Sequence, residues 1–202
     1  MADVFEFRGC DNLVFAEVLT DDNGDEGYTT GTVKILSPVA TISKEVETSS
    51  ETKYYDNLPM IVINSEGADT INLTIAPPAL DILCEITGKY FDADTGMMIE
   101  GESKPKYFAL GYRTKGTDGH YRYVWRLKGQ FAFPSEEVNT ENNGTDTTNT
   151  TLTYTGISTV HKFTKGNAPA KGIVIDERIG NADLALFFDS VNTPDTVKAK
   201  TV

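Results

Sequence analysis

The stretch from Pro105 to Pro134 constrains the fold most, because it predicts a long β-hairpin. Its centre is Thr117-Asp118-Gly119, and an Asp-Gly pair between two alternating runs is typical of a tight hairpin turn. In the second arm of the hairpin the odd-numbered positions are aromatic or apolar, namely Tyr121, Tyr123, Trp125, Leu127, Phe131 and Phe133. Successive side chains of a strand point to opposite faces, so we expect one face in the core and the other in solvent.

The predicted solvent face of this hairpin is basic. It carries Arg113, Arg122, Arg126 and Lys128, opposite the apolar side chains of the two arms. From Lys104 to Lys128 the local charge is +6 in a chain whose net charge is −12, which leaves −18 for the remainder. Two interpretations stay open: a solvated basic face, or a face that docks on the acidic surface of another copy of the chain.

Nucleic-acid binding by this face is disfavoured. Affinity for nucleic acid depends on neutralising phosphates, and a sequence pI near 4.6 opposes that for the surface as a whole. Base stacking also needs aromatic rings exposed beside the cations, whereas the alternation places rings and cations on opposite faces.

The segment upstream of the hairpin predicts further strands and one helix. A polar, β-favouring hairpin is expected around residues 39–63, and it carries Glu45, Glu47 and Glu51. The strand 70–76 follows, with Ile71, Leu73 and Ile75 on one face. Next, the spacing of apolar residues over 80–87 predicts a short amphipathic helix that ends at Gly88.

The segment downstream of the hairpin is less apolar. We expect a polar loop around residues 139–150, an alternating strand over 151–163 and a short strand over 172–177. The apolar residues of Asn181–Val191 recur at helical spacing, which predicts a helical segment, and residues 192–202 are expected to form a loose tail.

The remaining chemistry predicts a single soluble domain without an active site. No apolar run approaches the roughly 20 residues that span a bilayer, so no membrane association is expected. Cys10 and Cys84 are expected to be small buried thiols, and His120 and His161 have no nucleophile in a suitable context. The acidic run that begins at Asp21 lacks the glycine and glutamate of an EF-hand loop, so no metal or cofactor is predicted.

The segment Ala109–Gly156 closely resembles the signature region of the major tail proteins, or tail tube proteins, of siphophages, in particular the phi13-type family. The shared order is ALGYR, a glycine-containing turn, YRYVW, Lys-Gly-x-Phe, a Pro-Ser-Glu-Glu stretch and a threonine-rich strand. The segments ETKYYDN, TINLTIA and NADLALFFDSVNTP also resemble this family, so the likeness covers most of the chain.

The resemblance implies a mainly β fold: a β-sandwich or partial barrel of antiparallel strands, with one flanking α-helix and a C-terminal helical segment, in a single domain over residues 1–202. It implies a non-enzymatic virion tail subunit, assembled in the host cytoplasm, whose hexameric rings stack into a conduit for DNA ejection. The partners would be other copies of the chain and the tape measure, distal tail and tail terminator proteins.

Within such a tube, Arg113, Arg122, Arg126 and Lys128 are expected to contact neighbouring subunits. Glu45, Glu47 and Glu51 are expected to line the lumen or to lie where rings stack, since carboxylates there would repel DNA. The alternative is a β-sandwich binding module, such as an adhesin or a carbohydrate-binding domain, which would need an exposed aromatic platform.

Overall fold

The computed structural model describes residues 4–135 and 148–200, and this part of the chain contains eleven strands and one helix. In chain order they are β1 (Phe7–Asp21), β2 (Tyr28–Thr30), β3 (Lys34–Ile35), β4 (Val39–Tyr55), β5 (Leu58–Ile75), α1 (Leu80–Thr87), β6 (Tyr90–Asp92), β7 (Met97–Ile99), β8 (Phe108–Gly116), β9 (Tyr121–Phe131), β10 (Thr150–Gly156) and β11 (Gly172–Asp176).

Nine of these strands form one antiparallel sheet in the order β2-β1-β8-β9-β10-β5-β4, with β3 paired to β1 and β11 paired to β9. The strands β6 and β7 form a separate hairpin. The sheet is not closed into a barrel, and the architecture is consistent with a β-sandwich. The mainly β, antiparallel fold predicted from the sequence is therefore confirmed.

The central hairpin is formed by β8 and β9 and turns at Gly119, which has a φ of 88°. Phe108 pairs with Gly129 and Leu110 with Arg126, so β9 holds one extra residue in this interval. A bulge of this kind shifts every later side chain to the opposite face. Phe131 consequently packs with the core that contains Val124, and not with Trp125 as the simple alternation predicts.

Both faces of the central hairpin are covered, so the expected solvent face is wrong. One core contains members from β1, β5, β8, β9, β10 and α1, including Phe15, Ile71, Leu73, Ile75, Phe108, Leu110, Leu152 and Tyr154. A second core on the opposite face contains Val14, Ala16, Ala109, Tyr123, Trp125 and Leu127, and Phe163, Phe187 and Val191 pack over them. The sequence pattern of the hairpin did not reveal this second layer.

The helix α1 forms where the apolar spacing predicts it. It buries Leu83 and Ile86 against the first core. Gly88 ends it in the left-handed conformation, with a φ of 69°, which a residue without a Cβ adopts without steric cost.

The segment Asn181–Val191 is not helical, contrary to the prediction, and forms turns over residues 185–189. Phe187 and Val191 are nevertheless buried, as their spacing suggested. The carbonyl of Phe187 accepts hydrogen bonds from the Trp125 indole at 3.1 Å and from the Asn192 side-chain amide at 2.7 Å. In a helix, this carbonyl would instead accept a hydrogen bond from the backbone N–H four residues later.

The chain beyond this segment is held to the body as far as Lys200, unlike the loose tail that the sequence suggested. The Asp183 N–H donates to the Lys198 carbonyl at 2.9 Å, and Ala182 pairs with Ala199. Residues 139–147 of the predicted polar loop lie outside the described part of the chain. Neither cysteine is in a disulfide: Cys84 is buried and Cys10 half-buried.

Candidate functional site

The β4–β5 hairpin extends beyond the rest of the sheet. It closes at Asp56-Asn57, whose φ values are 49° and 62°. Positive φ at both central residues is typical of a type I′ turn, which suits the twist of antiparallel strands. The neighbouring strand β10 pairs with β5 only from Asp69 to Ile75. Within residues 47–67, called here the arm, β4 and β5 therefore pair only with each other.

The arm exposes a concentration of apolar side chains. All of residues 54–67 are exposed, and Val62, for example, is 59% exposed. Because Met60 and Val62 alternate with Ile61 and Ile63 along β5, both faces of the arm near its end are apolar. The exposed apolar set is Tyr54, Tyr55, Leu58, Met60, Ile61, Val62 and Ile63. Contiguous exposed apolar surface of this kind marks interaction sites.

Glu45, Glu47 and Glu51 lie on one face of β4, because they occupy alternate positions, and all three are exposed. Glu45 is paired with Thr70 of β5, so the same face continues across the sheet. Its further members are hydroxyl or amide side chains on β5, β10 and β9, namely Thr70, Asn72, Thr74, Thr151, Thr153, Thr155 and Gln130. We call this surface the polar face.

A charge cluster lies at the base of the arm. Asp69 is 1% exposed, and three cations surround it: Lys44 at 3.3 Å, Arg126 at 3.2 Å and Lys171 at 3.1 Å. Lys171 also contacts the exposed Glu66 at 2.8 Å. Burial by itself raises the pKa of Asp69, but hydrogen bonds from Lys171 and Lys44 and the charges of Lys44 and Arg126 outweigh it and hold this pKa below its ordinary value.

The four cations predicted as a basic surface all have carboxylate partners within the chain. Besides the pair with Asp69, these contacts are Arg113–Asp11 at 2.5 Å, Arg122–Asp176 at 2.8 Å and Lys128–Asp21 at 2.5 Å. Arg126 and Lys128 are each only 11% exposed at the side chain. The structure therefore distributes these cations among separate ion pairs and does not gather them on one free surface.

Sequence reasoning missed Asp69 as a buried ion, although a signal existed. Asp69 has the same parity as Ile71, Leu73 and Ile75, all of which are fully buried. An acid that continues an apolar alternation at the end of a strand predicts a buried carboxylate with cationic partners.

Other kinds of site find no support in the described residues. Within residues 4–135 and 148–200, no group of three or more His, Cys, Asp or Glu side chains could hold a metal ion. In the same part of the chain, no helix has the length and apolar character needed to cross a membrane.

Comparison with known proteins identifies the family. The family model described as phage tail tube protein matches residues 22–193, which includes the arm, its base and the central hairpin. No curated protein matches the chain. Since the family match spans most of the sequence, the chain belongs to the phage tail tube proteins and is a structural component of a virion tail.

Proposed function

We propose that the chain is a major tail tube subunit that assembles in the host cytoplasm into hexameric rings, which stack to form the conduit for DNA ejection. The arm is the observation that carries this proposal. Its apolar end is exposed on both faces, and burial of such surface against other subunits would drive association. Cytoplasmic assembly is carried over from the family resemblance.

The polar face is the surface that we propose lines the lumen; on it, Glu45 lies at the base of the arm, and Glu47 and Glu51 lie on the arm. Its hydroxyl, amide and carboxylate groups cannot neutralise phosphate. Lys53, a cation on the same side of β4, is ion-paired with Glu51. DNA would therefore pass along this face without lasting contact, and the carboxylates would repel it.

The four cations of the central hairpin divide into two groups under this proposal. Arg113 and Arg122 keep a quarter to a third of their side chains exposed, and we propose that they contact neighbouring subunits directly. Arg126 and Lys128 are nearly buried, so any effect on assembly would act through their partners, Asp69 and Asp21.

The tape measure, distal tail and tail terminator proteins are proposed partners at the tube. At either end of a stacked tube, the surfaces that join two rings have no further ring to meet, and these proteins would cover them.

The alternative, a carbohydrate-binding or adhesin module, needs exposed aromatic side chains. Tyr123 and Trp125 cannot supply them, since both are buried. The exposed Tyr54 and Tyr55 lie at the apolar end of the arm, which we propose is covered by other subunits.

The arm can be tested with Val62→Asp, which places a charge within its apolar end. Because Val62 is exposed and touches no core, we expect a folded protein whose unfolding free energy changes by no more than about 0.5 kcal/mol. Negative-stain electron microscopy should show rings or tubes for the parent and none for this variant.

Ile179→Asp is the matched control, since Ile179 is also apolar and exposed but lies outside the arm. It should assemble like the parent. Normal tubes from Val62→Asp would refute the role of the arm, and a parent that forms no tubes at any concentration would refute the proposed function.

A further inference from the structure

Asp69 marks the point at which the arm leaves the body of the protein. It is the last residue of β5 to pair with two strands, with Gly156 of β10 on one side and Val46 of β4 on the other. The next pair towards the arm end is Thr48 with Glu66, so β5 contains one extra residue between the two pairs. Such a bulge bends a strand and interrupts its ladder.

Apolar packing does not hold the arm beyond this point. Ile71, two residues towards the body, is fully buried, whereas every residue from Leu58 to Gly67 is exposed. A bulged two-stranded ribbon without core contacts can pivot at its base. The direction of the arm must therefore be set by contacts at the base.

The cations around Asp69 come from three separate places in the fold. Lys44 lies on β4, Arg126 on β9, and Lys171 immediately before β11. Lys171 bridges Asp69 and Glu66, and so spans the bulge from the body side to the arm side. Arg126 is held in place by its own strand, which is covered on both faces.

We propose that Asp69 is a positioning residue for assembly: with Lys44, Arg126 and Lys171 it clamps the arm in one orientation relative to the body. A buried carboxylate with several fixed cationic partners favours one arrangement of the attached elements, because any pivot separates the charges in a poorly solvated site. An arm that is already oriented loses less conformational freedom when it meets another subunit. This inference rests on the proposed function, because it gives the clamp a purpose in assembly.

The clamp can be measured in the unassembled full chain with two spin labels. Ser50→Cys places one label on the arm and Thr151→Cys places the other on the body, with the native Cys10 and Cys84 replaced by serine and alanine. Ser50 pairs with Asn64, and Thr151 pairs with Thr74. At a rise of about 3.3 Å per residue, the two sites lie roughly 33 Å apart along β5.

Double electron–electron resonance should give one narrow distance distribution for the parent and a distribution at least twice as wide for Asp69→Asn. Lys171→Met, which removes the bridge to Glu66 but leaves Asp69 charged, should give an intermediate width. Asp176→Asn is the matched control, because Asp176 is also a nearly buried carboxylate with two guanidinium partners but does not touch the arm. Its distribution should equal that of the parent.

An unchanged width in Asp69→Asn would overturn the clamp. Equal broadening in Asp69→Asn and Asp176→Asn would also overturn it, because that result would indicate general loosening. Tube yield, measured by sedimentation on the same variants without labels, tests the link to assembly: we expect a loss of tenfold or more for Asp69→Asn. If the arm broadens as expected but the parent itself forms no tubes, the proposed function fails and the clamp stands.

Discussion

Arg126 Nη1 lies 3.2 Å from Asp69 Oδ2, and this contact joins the central hairpin to the base of the arm. The two residues are 57 positions apart in the sequence, and both side chains are almost entirely buried. The sequence suggested that the Arg126 charge faces a partner, but this charge is paired with a carboxylate of the same chain. It connects the central hairpin, which is covered on both faces, to the arm, in which residues 54–67 are all exposed.

The first prediction concerns Arg126→Glu. The new carboxylate would face Asp69 in a poorly solvated site, so we expect the free energy of unfolding to fall by about 3–5 kcal/mol, as when a buried ion pair loses one partner. Urea denaturation followed by circular dichroism would measure the change. A folded variant of parental stability that merely fails to assemble would contradict this and would support a direct contact between subunits.

Lys115→Glu is the control for that experiment. Lys115 is exposed on the same hairpin, in β8, and its ammonium lies over the Tyr121 ring at 5.5 Å. We expect its reversal to change the unfolding free energy by no more than about 0.5 kcal/mol, as is usual for exposed sites.

The second prediction concerns acid stability. Burial raises the pKa of Asp21, Asp69 and Asp176, but hydrogen bonds and charges from their partners outweigh it, so each pKa lies below the ordinary value of 3.8. The folded protein therefore binds these protons less readily than the unfolded chain. Their contribution to stability is complete above the unfolded pKa and is lost as the pH falls through the lower folded values.

The urea midpoint should therefore change little between about pH 5 and pH 7 and fall steeply below the ordinary aspartate pKa. In Asp69→Asn one of the three groups is removed, so the fall should be shallower although the variant is less stable at neutral pH. A midpoint that rises as the pH is lowered below that value would contradict the assignment.

The third prediction concerns the close contact between Gly111 and Trp125. A Cβ added to Gly111 would lie 2.8 Å from Trp125 Cζ3 and 2.8 Å from Val14 Cγ2, which is closer than real side chains approach. Both neighbours are buried and cannot move away freely. We expect Gly111→Ala to lower the unfolding free energy by about 1–3 kcal/mol, the usual effect of overpacking a core.

Trp125 fluorescence during urea denaturation would report this loss directly, since the ring is at the contact. Gly101→Ala is the control, because the nearest atom to its added Cβ is Ile99 Cγ2 at 3.9 Å, an ordinary contact. Equal stability of Gly111→Ala and the parent would show that the second core is looser than its contacts indicate.

The fourth prediction tests the polar face as the lumen. Asn72→Lys combined with Thr153→Lys would add two cations where Thr153 Oγ1 now donates to Asn72 Oδ1 at 2.9 Å. Tubes of this variant should retain short double-stranded DNA at low salt and release it as salt increases, since phosphate binding is salt-dependent. DNA co-sedimentation would measure retention.

A single lysine at Val174, an exposed position on β11, is the comparison for that experiment. If the polar face is the lumen, Val174→Lys tubes should retain no more DNA than the parent. Equal retention by both variants would place the polar face on the outside of the tube or between subunits.

Much of the local structure could be predicted from the sequence. The Asp118-Gly119 turn fixed the central hairpin, because few residues adopt the backbone angles of that turn. The alternation of Ile71, Leu73 and Ile75 identified a core strand, and all three are fully buried. Gly88 ended the helix where expected, because a residue without a Cβ adopts the left-handed conformation freely.

The predictions that failed depended on what lies above each face. The sequence predicted a solvent-exposed basic face on the central hairpin. Alternation shows that the two faces of a strand differ in composition, but it does not show whether another layer covers each face. The bulge in β9 also moved Phe131 to the other face, and single bulges leave little trace in the sequence. Phe187 is buried, but the segment around it is not helical. The side chains of Trp125 and Asn192 donate to the Phe187 carbonyl, which in a helix would accept from a backbone N–H.

The sequence by itself determined the positions of the longer strands, where the central hairpin turns, and that Glu45, Glu47 and Glu51 share one side of their strand, because these properties depend on neighbours a few residues apart. Only the tertiary structure decided that each hairpin cation has its own carboxylate and that Asp69 lies where the arm departs. Those contacts join residues as far apart as Asp21 and Lys128, or Asp69 and Lys171. They are set by strand order, register and bulges of the whole sheet, which no local pattern contains.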